Sequence, residues 1–564
     1  MDSRKRALIG AVAVLLGSVL IGAQTRDFTP VTDAMLQNPS PNEWLGWRRT
    51  QDSQGYSPLN QINRGNVAQI QLAWSWAMNP GSAEAAPIVH DGVMYIPNPG
   101  GGVQALDATN GDLLWEYRKK YDRAEMGERP MRSVAIIGDK VFVNSPDAHI
   151  VALNARTGAV VWDHTVADNK LGYEYTSGPI AAKGHVIAGM TGCGRQYKND
   201  VCFITAHDPN TGRELWRTST IARPGEPGGD SWGNLPAQFR SGSDAWIPGS
   251  YDAAANLIYW STAQAKPWAR AVRGTDGDAL YTNSTLALDP DTGKINWYYQ
   301  FIPGETQDMD EVFENILVDH DGKSSVFKMG KLGILWELDR KTGKFVAAHD
   351  LGYQNIVTVN PQTGKVTYNP GMIPEIGKPL RFCPSTAGFK DWRAMAYAPE
   401  TRAFYIPIAL TCEDAVFEEV PRAIGNGGVG PVKRTNLFHP ASPNGLGEFV
   451  AMGIDGKVLW RYRTRTPMNT AALTTAGGLA IVGDWDRYLY IFDAANGNVL
   501  FKTRMPTSVQ GFPITYAVNN KQYLAIPVGS GGGSWTSQIP IELTPDKQRR
   551  DNGNAVYVFA LPGR

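Results

Sequence analysis

The chain has 564 residues, 42% of them hydrophobic and 19% charged, with 54 Lys and Arg against 54 Asp and Glu. That apolar share excludes a wholly disordered chain, and zero formal charge argues against a nucleic-acid binder, which needs a basic surface to neutralise phosphates. The 60 Gly, 37 Pro and 17 Trp read as a turn-rich all-β protein, not a helical bundle.

In chain order, Arg4, Lys5 and Arg6 precede an apolar run that ends in small residues at Ala23. This pattern predicts a cleaved secretory signal peptide over 1–23 and an exported chain over 24–564. An uncleaved anchor is the alternative, for which the run is short. Cys193, Cys202, Cys383 and Cys412 fit an oxidising compartment and two disulfides. The simplest pairing is Cys193–Cys202 and Cys383–Cys412. No Cys-x-x-Cys-His occurs in the sequence, so no covalently attached haem and no haem c domain are expected.

One pattern then repeats: Asp or Asn, two variable positions, Thr or Asn, Gly, three more, Trp. It appears as ALDATNGDLLW (105–115), ALNARTGAVVW (152–162), AHDPNTGRELW (206–216) and ALDPDTGKINW (287–297), with weaker copies at 337–347, 453–460 and 491–501. Each copy reads as strand, tight turn and strand. The Asp or Asn caps the turn, Gly supplies positive φ, and Trp adds an apolar plate at fixed offset. Runs such as VMYIP, KVFVN, LIYWS and AFYIP between the copies have strand composition. Self-similarity at this spacing implies stacked β units. A β-propeller closes them with short, protected edges; a linear β-solenoid is the structural alternative.

The spacing of the repeat's Trp resembles the tryptophan-docking repeat of the pyrroloquinoline quinone (PQQ) alcohol dehydrogenases of the methanol/ethanol dehydrogenase family, over residues 47–561. The resemblance implies an eight-bladed β-propeller carrying PQQ and one metal ion. SAEAAPIVHDGVMYIP then makes Glu84 a cofactor contact, and RPMRSVAII makes Arg132 one. YTSGPI supplies Thr176, MTGCG supplies Thr191 and Gly192, and AWIPGSYD places Trp246 under the cofactor plane. In KMGKLGILWELDR, Lys331 matches the basic residue that reaches the reactive quinone oxygens. FKDWRAM adds Asp391 and Trp392, and VGSGGGSW adds Trp535. A planar tricarboxylate calls for this kind of setting: cations at its rim and an aromatic plate on its face.

IPGETQDMDEVFE resembles the family's catalytic segment, which assigns Asp308 as general base and Asp310 as a second acid. In an extended segment residues i and i+2 face the same way, so both carboxylates are expected to reach one cation. The bland alternative is a solvated acidic loop. The family's metal-binding Glu is replaced by Gly194 and its Asn by Gln264, so the expected ligands are Gln264, Asp308 and Asp310, for Ca²⁺ or a lanthanide. The family's adjacent-cysteine disulfide is also missing, with Met126-Gly127 in its place. Cys383–Cys412 matches the family's distal disulfide.

The resemblance implies a periplasmic quinoprotein oxidoreductase that passes electrons to a separate cytochrome c or other periplasmic acceptor. Loops at 220–241 and 413–433 are expected to roof its site. Met126-Gly127, together with Asn469 where the family can carry Trp, implies room for a bulky or secondary alcohol. The TAQAKPW and GETQDMDE segments extend that expectation to polycyclic toxins such as the trichothecene deoxynivalenol. The reading from a different class is a non-catalytic propeller scaffold of the outer-membrane assembly type. It gives no reason for Glu84, Arg132, Trp246, Lys331 and Asp308 to occur in series. Direct metal chemistry ranks last, because the eight His show no paired spacing.

Overall fold

The computed structural model describes residues 28–122, 129–193, 202–423, 427–531, 538–548 and 551–563. The fold over these residues is all-β, with helices confined to short pieces such as Asp33–Gln37 and Arg270–Arg273. Among the described residues no helix is long and apolar enough to cross a membrane. The expected signal peptide, Met126-Gly127, Gly194 and Trp535 lie outside the described residues.

Seven four-stranded sheets and one five-stranded sheet follow one another along the chain. The first holds Ile88–His90, Val93–Asn98, Gly102–Asp107 and Leu113–Tyr117; the second holds Ala135–Ile137, Lys140–Ser145, His149–Asn154 and Val160–Thr165. The last is completed from the other end of the chain: Gln71–Ala77 pairs antiparallel with Ala555–Ala560. N- and C-terminal segments therefore share one sheet, which distinguishes this architecture from a linear solenoid.

The repeat explains how neighbouring sheets meet. Asp208 Oδ1 accepts from the backbone N–H groups of Asn210 and Thr211, both at 2.9 Å, which closes the turn, and Gly212 takes φ +73°. Trp162 of the preceding sheet covers that glycine and donates its indole N–H to the Pro209 carbonyl at 3.0 Å. The same contact joins Trp115 to Ala155 (3.0 Å), Trp216 to Pro290 (2.8 Å) and Trp460 to Ala494 (2.9 Å). Trp74, on the N-terminal strand of the last sheet, reaches Ala108 of the first at 3.3 Å, so the series returns to its start. Phe345–Asp350 carries no Trp, and His349 lies over Gly456 instead.

The first strands surround one axis. Ala86, Ile247, Val312, Phe313, Trp392, Ala394, Ala471 and Phe512 stand two to four residues ahead of the first strand in six sheets, and with Trp47 they form one apolar cluster. Trp246 packs on it. Both expected disulfides are present, Cys193–Cys202 and Cys383–Cys412.

A paired substitution isolates the indole contact. Gly212→Ala forces a side chain into positive φ and sets its Cβ 2.8 Å from Trp162 Cε3, whereas Gly322 (φ +76°) has nothing within 4 Å. Backbone strain of about 1–3 kcal/mol is common to both. Gly212→Ala should be less stable than Gly322→Ala by a further 1–3 kcal/mol or so from overpacking, as read by urea unfolding. Equal losses would show that the indole can shift without cost.

Candidate active site

The site is built on the loops at one end of the sheets: those joining successive sheets and those joining second to third strands. They enclose a cavity of about 460 Å³. Arg132, Thr176, Thr191, Gly192, Trp246, Gln264, Asp308, Asp310, Lys331, Asp391 and Trp392 all line it. Glu84 stands behind Arg132, not on the wall.

Trp246 forms the floor. Its indole meets Phe313 edge-on at 5.5 Å, and Arg132 lies over it at 4.8 Å. Arg132 donates to the Thr176 carbonyl at 2.8 Å and pairs with buried Glu84 at 2.5 Å. Burial pushes the Glu84 carboxyl up, with Arg132 opposing. Gly192 takes φ +78°, and any Cβ there would run into the Gly172 carbonyl, so the backbone at this edge is bare.

Across the cavity two carboxylates and an ammonium share one wall. Lys331 Nζ lies 3.0 Å from Asp308 Oδ2 and 2.9 Å from Asp310 Oδ2. Gln264 donates its side-chain amide to Asp308 Oδ1 and its backbone N–H to Asp310 Oδ1 at 3.1 Å. Burial drives the Asp308 carboxyl well up, Lys331 opposes, and Asp310 adds to the rise. For Lys331, burial lowers the ammonium but the two aspartates outweigh it and hold it raised.

The segment is not extended, contrary to the sequence expectation. Asp308 takes φ +67°, and the Asp310 N–H donates to the Asp308 carbonyl at 3.1 Å, a three-residue turn. Glu305 shapes it by accepting from the backbone N–H groups of Gln307 and Met309. The acidic loop is not solvated either: Glu305, Asp308, Asp310 and Glu311 are all buried.

Sequence reasoning missed Asp244 and Lys266, which also line the cavity and pair at 2.8 Å. A signal existed: Asp244 stands two residues before Trp246, and Lys266 two after Gln264. It also missed a buried charge layer. Lys390 pairs with Glu314 at 2.8 Å, burial lowers Lys328 to about 7, and burial raises Glu311 to about 8. Asn469 does not open the cavity as expected: it is fully buried and donates to Gln510 at 3.3 Å. Of the two expected roof loops, 413–433 reaches the cavity through Gly428, while 220–241 contributes no lining residue among those described.

Stability and binding should separate at the Glu84–Arg132 pair. Arg132→Met leaves a buried carboxylate uncompensated and should cost about 3–5 kcal/mol. Adding Glu84→Leu should recover most of that loss in urea unfolding. A double variant as unstable as the single would mean that packing, not charge, holds this corner.

The chain is similar to proteins of known activity. The family model for the β-propeller domain of PQQ-dependent glucose/ethanol/alcohol dehydrogenases matches residues 44–349 and 443–524. The quinoprotein ethanol dehydrogenase of Pseudomonas aeruginosa is 30% identical over 98% of this chain and 95% of its own. The 1-butanol dehydrogenase (cytochrome c) of Thauera butanivorans is 32% identical over 90% of this chain and 76% of its own. A europium-containing methanol dehydrogenase superposes with TM-score 0.85 at 26% identity, covering 94% of this chain and all of that one.

Proposed function

The chain belongs to the PQQ-dependent glucose/ethanol/alcohol dehydrogenase family and is a quinoprotein alcohol dehydrogenase; we propose that it oxidises a bulky or secondary alcohol, with Asp308 as the base. The carrying observation is the shared wall: Asp308, Lys331, Asp310 and Gln264 face the same cavity that Trp246 floors and Arg132 borders.

The residues present fit the cofactor. A planar polyanion finds an indole floor, the cations Arg129, Arg132, Lys266 and Lys331 around the cavity, and bare backbone at Gly192. When bound, PQQ supplies the acceptor for the carbinol hydride. In this reading Arg132 and Glu84 fix one end, Thr176, Thr191 and Gly192 one edge, and Asp391 and Trp392 the remainder; Trp535, expected to join them, lies outside the described residues. Lys331 presents its ammonium to the quinone oxygens, where a cation stabilises developing negative charge. Asp308 takes the alcohol's O–H proton, for which a carboxylate of raised basicity is suited.

Gln264, Asp308 and Asp310 offer hard oxygen donors of the kind Ca²⁺ or a lanthanide takes, and the likeness to a europium-containing enzyme supports that reading. The eight sheets are read as eight propeller blades, with the repeat's Trp docking each on the next. The apolar run before Ala23 supports export to the periplasm. Electrons then pass to a separate cytochrome c or another periplasmic acceptor, as the name of the butanol-oxidising relative suggests. The alcohol class includes polycyclic toxins such as deoxynivalenol. A non-catalytic scaffold would leave these buried, converging charges without a purpose.

Asp308→Asn should lower turnover by about 10²–10⁴ while PQQ still binds by absorption spectroscopy; near-normal activity would remove Asp308 from the reaction. Metal-stripped protein loaded with PQQ should regain activity with Ca²⁺ or a light lanthanide. Asp310→Ala should impair the lanthanide response more than the Ca²⁺ response. Full activity under excess chelator, with no metal by elemental analysis, would end the metal assignment.

A further inference from the structure

The two acids of the turn are bracketed by different residues. Glu305 takes the backbone N–H groups on either side of Asp308, those of Gln307 and Met309. Asp310 is bracketed from another sheet by Asn283, which immediately precedes the strand Ser284–Leu288. The Asn283 amide donates to the Met309 carbonyl at 3.1 Å, and its oxygen accepts the Glu311 N–H at 3.0 Å. One planar group thus holds the backbone before and after Asp310, with one bond in each direction.

Asn283 is itself anchored. Its backbone N–H donates to the Ala263 carbonyl and its carbonyl accepts from Phe301, both at 2.9 Å. Ala263 adjoins Gln264, whose backbone N–H donates to Asp310 and whose side chain donates to Asp308. The same corner therefore ties Gln264 to both acids. Asn283 takes φ +48°, the left-handed region, which Asn enters more readily than most residues. It is fully buried and is not part of the cavity wall, so it touches neither the alcohol nor the cofactor.

We propose that Asn283 is a positioning residue for the oxidation, setting the pitch of the turn so that the Asp308 carboxylate meets the alcohol O–H. The proposal rests on the reading of Asp308 as the base. Lys331 and Gln264 hold the two carboxylates by their oxygens, whereas Asn283 holds the backbone from which those side chains project. A base must stand within about 2.6–3.2 Å of the atom whose proton it takes, and a misplacement of about 1 Å can cost on the order of 10² in rate.

The test uses PQQ- and metal-loaded protein with ethanol and cyclohexanol, each also deuterated at the carbinol carbon. Asn283→Gly removes both bonds, suits the positive φ and adds no charge; it should lower kcat about 10- to 100-fold. KM should stay within about threefold, PQQ should bind with an unchanged absorption spectrum, and the deuterium effect on kcat should rise because the oxidation step then limits turnover. Asn283→Asp keeps the acceptor for Glu311 but loses the donor to Met309, and should show the same signature if the glycine variant does not fold. Asn315 is a buried asparagine whose side chain bonds to Ser261 at 3.0 Å and Thr285 at 2.8 Å. Asn315→Ala should lose comparable stability in urea unfolding yet keep kcat within about twofold. Asn283 variants with wild-type kcat, or a loss of kcat matched by Asn315→Ala, would overturn the positioning role and leave Asp308 as the base. Near-normal turnover in Asp308→Asn would instead remove the base, and this role with it.

Discussion

The indole that one sheet lays over the turn glycine of the next is the contact on which the rest of the molecule depends. It fixes the spacing and rotation between neighbours, because the Trp ring, the glycine Cα and the turn carbonyl admit one close arrangement. Repeated around the chain and closed by Trp74, that arrangement brings the first strands around one axis. Only then do residues from six separate connections meet in one plug and hold Trp246 as a floor. The site is a consequence of the ring, since its charged residues come from separate connections except for Arg129 with Arg132 and Asp308 with Asp310.

Much of this was legible beforehand, for a physical reason. The turn needs a side-chain acceptor, a glycine and a plate at fixed offsets, so Asp208, Gly212 and Trp216 announce themselves in the sequence. The grouping of Asp308, Asp310, Gln264 and Lys331 could be anticipated through resemblance alone, since nothing in their spacing implies contact across sheets. The conformation of the Asp308 turn was misread as extended because Glu305, three residues earlier, captures two backbone N–H groups and bends the chain. The burial of Lys328, Lys390, Glu311 and Glu314 was not anticipated. Sequence carries no mark of burial for a charged residue whose partner lies on another loop.

Asn469 teaches the complementary lesson. A small polar residue where a relative can carry Trp suggests a larger cavity, yet Asn469 is fully buried beside Gln510. A space of about 380 Å³ lies instead where Gly428 and Gly430 run beside Trp268. Volume in a closely packed protein is therefore set by the backbone that can approach as much as by the side chain that is lost.

The charges around the cavity explain why it suits an anion without collapsing in its absence. Asp308 and Asp310 stand side by side in a buried wall, where burial drives the Asp308 carboxyl up and the neighbouring Asp310 adds to the rise. Lys331 touches both, and Lys266 is held by Asp244, so each ammonium already has an anionic partner. A bound polyanion then competes for those ammonium groups with the carboxylates. Lys331 cannot lean toward the cofactor without loosening its hold on Asp308, and a carboxylate so loosened in a buried wall binds a proton more readily. In the proposed reading, cofactor contact and basicity at Asp308 are coupled through one ammonium group. A residue that only neutralised the pair, without reaching the cavity, would hold the fold together equally well and leave the base unchanged when the cofactor arrives.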